Sequence, residues 1–452
     1  MKKWKSSQFN VSINVPEGGV VVRNLYTNNY ILIRENTQLI DLLLNRQRPF
    51  LSDEPYTYEL QRLGIVVEDG VEEYIKVDDF RNDIANSKER LDITILPTID
   101  CNFRCVYCFE NEGTKYMSEQ DVSALIKYFS NTFKKYKSVY IQWFGGEPLL
   151  CKDLINYVMT NALQIADKNK TALVSGITTN GYELDLETYK MLCKNKCTWI
   201  QISVDGTRRT HNFQRPHKND ANSYDKIIKN LQSIRDNTNP GVCKIYYRVT
   251  LSKPILKHID DILLFYKEEF SADKRFRLSL QPVMDWGGER IHDVRDELPS
   301  VKDTVDCLLK AADMGLLPIG HHTQSSSGLI CESIRRNGIV VAPGNYIYKC
   351  PMAMYSKEDG DLYRSLIGRL GQDGQIYIND EFNAEWMRGK PFMGDKCHKC
   401  TYYAICHGNV TCPYSNKFSK ENKNLCRKAI YDEFIPAEIL NYYKIKKIDN
   451  VY

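Results

Sequence analysis

Cysteine is the residue type in this chain whose number and spacing point most directly to chemistry. The 452 residues include 15 cysteines, and no apolar signal segment follows the charged start MKKWK. Because thiols inside the cell stay reduced, clustered cysteines there indicate metal binding or catalysis more often than disulfides. The sequence therefore predicts a soluble cytoplasmic protein with two metal-binding groups of cysteines.

The first group, Cys101, Cys105 and Cys108, has C-x3-C-x2-C spacing in the segment PTIDCNFRCVYCFE. These short spacings allow one loop to direct three thiolates at one centre. Three ligands are one too few for a closed structural zinc site or a fully ligated 4Fe–4S cluster. A 4Fe–4S cluster held in this way keeps one iron open for chemistry, and a structural zinc loop is the alternative.

The second group begins with a C-x2-C-x5-C-x5-C run. It consists of Cys397, Cys400, Cys406 and Cys412, with Cys426 after the run and Cys331 and Cys350 before it. A structural zinc usually takes four cysteines in paired CxxC elements, whereas this region has a single CxxC and more cysteines than one zinc needs. The spacing by itself leaves zinc, a single cluster and several iron–sulfur clusters open. The other five cysteines are predicted to pack in the core: Cys151, Cys193, Cys197, Cys243 and Cys307.

The first group must be positioned by a region in which apolar strand-like runs alternate with amphipathic helical segments. This alternation repeats about six times from residue 90 to residue 285, and Ser118 is a predicted helix N-cap within it. It is typical of parallel βαβ units, although periodicity alone does not distinguish a barrel from a doubly wound sheet.

The regions on either side of this alternation have different patterns. Residues 1–85 predict a hairpin with a turn at Glu17–Gly19, a helix N-capped by Asn36 or Thr37, and a short helix that stops at Gly64. A strand then follows, with VEEYIKV as its expected partner and the polar FRNDIANSKER as a linker. This is a winged-helix-like pattern. Segment 318–426 is rich in glycine, cysteine and turns, so we expect metal clusters to stabilise it in place of a core.

The cysteine loop resembles the signature of radical S-adenosylmethionine (SAM) enzymes, including aromatic residues before and after the third cysteine, Tyr107 and Phe109. Further motifs of that family follow in order: WFGGEP at 143–148, TTNG at 178–181, ISVDG at 202–206, then Arg208, His211, Arg215 and Arg248. The resemblance covers residues 90–285 and implies an α/β fold, a partial (β/α)6 TIM-type barrel, as the radical SAM core.

The same resemblance implies how SAM binds. The open iron would be chelated by the amino and carboxylate groups of SAM, and the backbone of Gly145, Gly146 and Glu147 would receive the amino group. Thr179, Asn180 and Ser203 would contact the ribose or the carboxylate of SAM. Arg248 would contact the carboxylate, and the backbone around Tyr107 would contact the adenine. One electron would then cleave SAM to a 5′-deoxyadenosyl radical that abstracts a substrate hydrogen.

The second cysteine group resembles the SPASM extension of these enzymes, placed here at residues 331–430. The resemblance implies two auxiliary 4Fe–4S clusters, and so three clusters in all. Cys397, Cys400, Cys406 and Cys426 would ligate the distal one, and Cys331, Cys350 and Cys412 the proximal one. The five residues HGNVT between Cys406 and Cys412 are more than the family usually has. The fourth proximal ligand is left open between a substrate thiolate, water, a carboxylate and His321, His322 or His407.

SPASM enzymes mostly act on peptides, and the module at 1–85 resembles the leader-binding element of enzymes that mature ribosomally made peptides. The resulting prediction is an oxidoreductase that installs a cross-link in a peptide. The preferred cross-link is a cysteine thioether, as in sactipeptide and ranthipeptide synthases. Its partners would be a precursor peptide with a leader and an electron donor, flavodoxin or ferredoxin. Residues 286–330 would bridge the core to the SPASM domain, and residues 431–452 would form a tail.

The alternatives are a sulfatase-maturase-like formylglycine-forming enzyme, a C–C or C–O cross-linking maturase, and a non-catalytic iron–sulfur or zinc scaffold. A scaffold has no use for the intact GGEP and TTNG motifs. Nucleic-acid binding is not expected, because the net charge is only +4 and residues 54–78 are acidic. A membrane span is not expected either, because the apolar runs are too short.

Overall fold

The computed structural model places the chain in two compact units. One unit contains residues 1–85, 301–331 and 389–452, and the other contains residues 86–300 and 332–388. The described residues are 2–45, 48–111, 113–285, 290–319, 331–352, 354, 365–379, 383, 394–409 and 426–446. No helix within these ranges is long and apolar enough to cross a membrane.

The N-terminal part of the first unit has two three-stranded antiparallel sheets. Its strands are β1 (Lys2–Ser6), β2 (Asn10–Asn14), β3 (Val20–Asn24), β4 (Tyr30–Ile33), β5 (Phe50–Ser52) and β6 (Val66–Glu68). Strand β1 lies between β5 and β6, and β3 lies between β2 and β4. The predicted hairpin is confirmed, because β2 pairs with β3 and Gly18 and Gly19 take φ values of +87° and +101° in the turn.

Three helices complete this part: α1 (Thr37–Leu44), α2 (Pro55–Arg62) and α3 (Glu73–Asn86). The Asn36 side chain caps α1 by accepting from the Leu39 N–H. The prediction that VEEYIKV is a strand is wrong, since Glu73, Val77 and Arg81 are the buried residues of α3 and recur every four residues along one helical face. The predicted linker FRNDIANSKER is likewise mostly helical, because α3 continues to Asn86.

Strand β3 is buried on both faces and joins two cores. Val20 and Val22 pack with Trp4 and α1 in a core built from N-terminal residues alone. Val21 points to the opposite face, as the two-residue period of a strand requires, and packs in a core with Tyr403 and Ile435. Residue 435 belongs to the C-terminal helix, Lys428–Lys446.

A buried ion pair connects the same two parts of the first unit. Arg23 Nη1 on β3 lies 2.7 Å from Glu438 Oε2 on the C-terminal helix, and both side chains are at most 9% exposed. Residues 1–85 therefore share a core and a buried ion pair with the C-terminal region.

The second unit contains six parallel strands whose order in the sheet is their order in the chain. They are β7 (Arg90–Ile95), β8 (Ser138–Trp143), β9 (Ala172–Thr179), β10 (Cys197–Ser203), β11 (Lys244–Leu251) and β12 (Phe276–Pro282). A doubly wound sheet would reverse its strand order at a switch point, and these six strands do not. The order agrees with the predicted partial TIM-type barrel.

Helices connect these strands, as the alternation predicts. They are α4 (Glu119–Thr132), α5 (Lys152–Asn169), α6 (Leu186–Lys194), α7 (Arg208–Gln214), α8 (Ser223–Asn237), α9 (Lys253–Leu256) and α10 (Ile259–Glu269). Ser118 caps α4 in a capping box with Asp121, as its position predicts. The next helix, α11 (Val301–Asp313), belongs to the first unit.

Four more strands extend the six-stranded sheet from its β7 edge. They are β13 (Gly338–Ala342), β14 (Tyr346–Tyr348), β15 (Leu366–Leu370) and β16 (Ile376–Ile378). Strand β13 pairs in parallel with β7, and Val340 and Ala342 pack against Leu96. The prediction that this stretch lacks a core is wrong for β13 and β14, because these short strands bury their apolar residues against a sheet formed earlier in the chain.

Candidate active site

The loop with the first three cysteines follows the carboxyl end of β7, where active sites of barrel folds lie. Residues just after α7 hold it in place on both sides of Cys105. The Arg104 N–H donates to the Pro216 carbonyl at 2.8 Å, and the Val106 N–H donates to the Gln214 carbonyl at 3.0 Å. Cys105 therefore lies opposite Arg215 in this pairing.

The three thiols suit a metal cluster rather than free nucleophiles. Burial raises the pKa of Cys101 to about 12, and it also raises the pKa values of Cys105 and Cys108. Cys105 contributes to the raised pKa of the other two thiols by charge repulsion, so the three lie near one another. Such thiols ionise on coordinating a metal, and thiolates are the ligands that iron–sulfur clusters take.

The spread of the donors bears on which metal group fits. Among the residues described, no three His, Cys, Asp or Glu side chains converge closely enough to hold a single metal ion. The three-cysteine loop fits a 4Fe–4S cluster in the number and type of its donors.

Gly145 and Gly146 bring bare backbone alongside the start of the cysteine loop. A Cβ on Gly145 would lie 2.4 Å from the Thr98 carbonyl oxygen, and one on Gly146 would lie 2.1 Å from the Asp100 carbonyl oxygen. The Gly146 N–H donates to Thr98 O at 3.3 Å, and the Glu147 N–H donates to Asp100 O at 2.8 Å. Because these N–H groups are already engaged, the segment can offer its carbonyl oxygens to the amino group of SAM.

The Glu147 carboxylate joins the ends of two strands. It accepts hydrogen bonds from the Leu149 N–H at 2.9 Å, the Thr179 hydroxyl at 2.7 Å and the Asn180 N–H at 2.7 Å. Burial raises its pKa to about 7. The Asn180 side-chain amide also donates to Asn102 Oδ1 at 2.7 Å, inside the cysteine loop. Thr179 and Asn180 thus position the site, and their contact with SAM stays a prediction.

Ser203 and Arg248 are neighbours on adjacent parallel strands, paired in register between β10 and β11. Arg248 Nε is buried without a hydrogen-bond partner in the described part of the chain. Burial lowers the pKa of this guanidinium. A buried donor that lacks an acceptor is costly, and a ligand carboxylate would satisfy it. The residues present therefore fit SAM at this position.

The structure adds side chains to which sequence reasoning assigned no role. The Tyr107 hydroxyl donates to the Asp205 carboxylate and accepts from Arg215 Nη1 at 2.7 Å. Asp205 Oδ1 also accepts from the Thr250 N–H at 2.8 Å. Asp205 lies in the ISVDG motif and Arg215 follows it in the sequence, but nothing in the sequence connects either residue to Tyr107. Glu110 is another residue to which the sequence analysis gave no role. Burial and charge repulsion by Glu147 raise the pKa of its carboxyl group to about 8.

Four cysteines of the second group surround one cavity in the first unit. The cavity has a volume of about 300 Å³, and its lining includes Cys397, Cys400, Cys406 and Cys426. They are the four residues predicted to ligate the distal cluster. Four basic residues also line it: Lys396, Lys399, Arg427 and Lys428. Burial raises the pKa of Cys400, and Lys428 opposes that rise. Positive charge of this kind favours thiolates.

The predicted proximal set is described only in part. Cys412, His321 and His322 lie outside the described residues. Cys331 is exposed and Cys350 is buried, and the two belong to different compact units. Ligation by Cys331, Cys350 and Cys412 stays a prediction.

The six-stranded parallel sheet places the cysteine loop at the carboxyl ends of its strands, where barrel enzymes hold their active sites. Residues 95–251 match the Radical SAM superfamily, and this span contains the three-cysteine loop and the residues predicted to contact SAM. The chain therefore carries a radical SAM domain and is an enzyme of the radical SAM type. That family uses SAM with a 4Fe–4S cluster.

Three known proteins show how far the similarity extends. A cysteine-type anaerobic sulfatase-maturating enzyme of Clostridium novyi is 26% identical over 199 residues, 41% of this chain and 50% of that enzyme. The Fe-coproporphyrin III synthase of Methanosarcina barkeri is 29% identical over 353 residues, 68% of this chain and 80% of that enzyme. Half of the sulfatase-maturating enzyme thus lies outside the aligned span.

The third is a solved structure, anSMEcpe with bound AdoMet and Cp18Cys peptide. It is 18% identical, has a TM-score of 0.56 and covers 80% of this chain and 99% of its own. This similarity supports the fold. The names of these proteins point to different substrates, so the shared fold does not identify the substrate of this chain.

Proposed function

We propose that this chain is a peptide maturase that installs a cysteine thioether cross-link in a ribosomally made precursor peptide. The observation that carries the proposal is that helix α3 contacts both a groove in the N-terminal module and the second cysteine group. Both contacts lie within the first unit.

One side of α3 lines the groove. The groove has a volume of about 450 Å³ and is lined by residues of β6 and α3, among them Val67, Glu73 and Lys76. Strand β6 is at the edge of its three-stranded sheet. An extended peptide can add to such an edge through main-chain hydrogen bonds while its side chains enter the adjacent groove.

Other residues of α3 contact the CxxC element. The Tyr74 ring stacks on His398, which lies between Cys397 and Cys400, with ring centroids 4.2 Å apart. Asp78 accepts a hydrogen bond from the Tyr403 hydroxyl at 2.5 Å. A leader bound in the groove would therefore be held by the same helix that supports the predicted distal cluster.

The radical core would act on the peptide in the following way. When bound, SAM and its cluster supply a 5′-deoxyadenosyl radical that removes a hydrogen atom from carbon. Cys101, Cys105 and Cys108 would hold the cluster, Gly145 and Gly146 would offer carbonyls to the SAM amino group, and Arg248 would pair with its carboxylate. The buried carboxylate of Glu147 holds the ends of β8 and β9 together and helps to exclude water.

The groove gives a direct test of leader binding. Gln61→Trp and Lys76→Trp place bulk at two of its exposed lining residues, and we expect each to weaken binding of a leader peptide by about tenfold. Fluorescence anisotropy of a labelled leader measures the affinity. Uncoupled SAM cleavage should stay at the wild-type rate, because the change lies in the first unit.

Glu59→Trp is the matched control, since Glu59 is exposed on the same helix as Gln61 but does not line the groove. Equal affinities for all three variants and the wild type would remove the groove as the leader site. Point variants are preferable to deletion of residues 1–85, because deletion would also expose the core shared with Tyr403 and Ile435.

Mass spectrometry of a candidate precursor peptide tests the bond that is formed. Thioether formation breaks one C–H bond and one S–H bond. The hydrogen atom from carbon would leave in 5′-deoxyadenosine, the thiol proton would go to solvent, and the remaining electron would pass to a predicted auxiliary cluster. We therefore expect the product to lose the mass of two hydrogen atoms and one site of iodoacetamide labelling. Tandem fragmentation should show no cleavage between the two joined residues. A product that keeps all its free thiols would refute the thioether assignment.

Formylglycine formation is the second candidate, and the similarity to the sulfatase-maturating enzyme favours it. That reaction converts a Cys or Ser side chain to an aldehyde. A hydrazide probe labels an aldehyde but not a thioether, so labelling of the same product mixture distinguishes the two functions.

A further inference from the structure

The segment at the end of α7 contains more buried hydrogen-bond donors than its described surroundings satisfy. His211 Nε2, Gln214 Nε2 and Arg215 Nε are all buried without a hydrogen-bond partner among the described residues. His211 accepts from the Asp205 N–H through Nδ1 at 3.1 Å, which leaves its proton on Nε2. Unmet buried donors are costly, so this segment is built to face an acceptor or an anion.

Arg215 is the charged member of this set and lies opposite the central cysteine of the loop. The hydrogen bonds of Arg104 to Pro216 and of Val106 to Gln214 fix that pairing. Arg215 is buried, with 7% of its surface exposed. A buried guanidinium opposite Cys105 would act on a cluster held there with little screening by water.

Neighbouring groups hold the guanidinium in place. Arg215 Nη1 donates to the Tyr107 hydroxyl at 2.7 Å and lies 3.6 Å from Asp205 Oδ2. Its carbon Cζ is 5.7 Å from the centroid of the Phe103 ring. Tyr107 and Phe103 both belong to the cysteine loop, so Arg215 is fixed to the element that would carry the cluster.

We infer that Arg215 is a positioning residue that raises the reduction potential of the cluster held by Cys101, Cys105 and Cys108. A reduced 4Fe–4S cluster carries one more negative charge than the oxidised cluster, and a buried cation beside it stabilises the reduced form. This eases the one-electron reduction that must precede cleavage of SAM. The inference rests on the proposed ligation by these three cysteines and not on the identity of the peptide product.

The test is an EPR-monitored redox titration of the reconstituted full chain. The radical SAM cluster is followed through the part of the signal that changes when SAM is added, which separates it from auxiliary clusters. For Arg215→Gln we expect the ratio of reduced to oxidised cluster at a fixed potential to fall by about tenfold, equivalent to a shift of about 59 mV for one electron. Arg215→Lys keeps the charge and should stay close to the wild type.

Arg275→Gln is the matched control. Arg275 is also a buried arginine of the second unit, paired with Asp273 at 2.6 Å, but it precedes β12 and so lies at the opposite, amino end of the strands. Its loss should leave the potential unchanged. A wild-type potential in Arg215→Gln would overturn the inference, and so would an equal shift in Arg275→Gln.

Asp205→Asn decides the question if Arg215→Gln takes up no iron. Removing the anion next to Arg215 leaves the guanidinium uncompensated, so the potential should rise, and an unchanged or lower potential would also overturn the inference. A wild-type protein with no SAM-sensitive cluster signal would instead refute the proposed ligation itself, which keeps the two failures distinguishable.

Discussion

Replacement of Cys101, Cys105 and Cys108 together by alanine is expected to abolish 5′-deoxyadenosine formation and to remove about four iron atoms per chain. Without the thiolates the loop has no soft ligands, and the remaining carboxylates nearby do not substitute for them in holding an iron–sulfur cluster. Iron analysis after anaerobic reconstitution and chromatographic detection of 5′-deoxyadenosine measure the two losses.

The chain offers a matched triple control at the other end of the barrel. Cys193 is the next-to-last residue of α6, Cys197 begins β10 and Cys243 directly precedes β11, so all three lie towards the amino ends of the strands. Their joint replacement by alanine removes the same number of thiols and should retain both iron and activity. Wild-type 5′-deoxyadenosine production by the Cys101, Cys105 and Cys108 variant would refute the site.

Replacement of Cys397 and Cys400 by alanine is expected to remove a further cluster, about four of roughly twelve iron atoms, and to destabilise the first unit. Both cysteines pack at the margin of the core that contains Val21, Tyr403 and Ile435. A cluster bound by both cysteines would crosslink this region, so its loss would remove the free energy that metal binding contributes to folding. Iron content, zinc content and the thermal unfolding midpoint should be measured on the same preparation.

Cys307→Ala is the control for that variant, because Cys307 is buried on α11 in the same unit and does not line the four-cysteine cavity. It should keep the full iron content. If the wild type instead binds one zinc and about four irons, the second cysteine group is a zinc site and the distal cluster is excluded. The radical core would be unaffected by that outcome.

Features that depend on residues close in sequence could be predicted from the sequence. Asn36 and Ser118 cap their helices as expected, since a cap needs only a side chain two or three residues from the amide it binds. The six strands of the barrel follow from the alternation of apolar runs. The three-cysteine loop follows from spacing alone, because its ligands lie within eight consecutive residues.

Helix α3 shows where local patterns mislead. VEEYIKV has the residues of a strand next to a turn, yet its buried positions are four residues apart because the C-terminal region packs on it. The strands β13 and β14 were missed for a related reason. They are too short to bury a core alone, and they are stabilised by joining an existing sheet, β13 at the β7 edge and β14 beside β13.

The cysteine loop, the glycine pair and the order of the strands that position them could all be predicted from the amino-acid sequence. The distant residues that support this loop became apparent in the folded chain. Arg215 and Tyr107, for example, are 108 positions apart and are joined by a hydrogen bond. The physical reason is that burial and charge act through space, so their partners are set by how the elements pack.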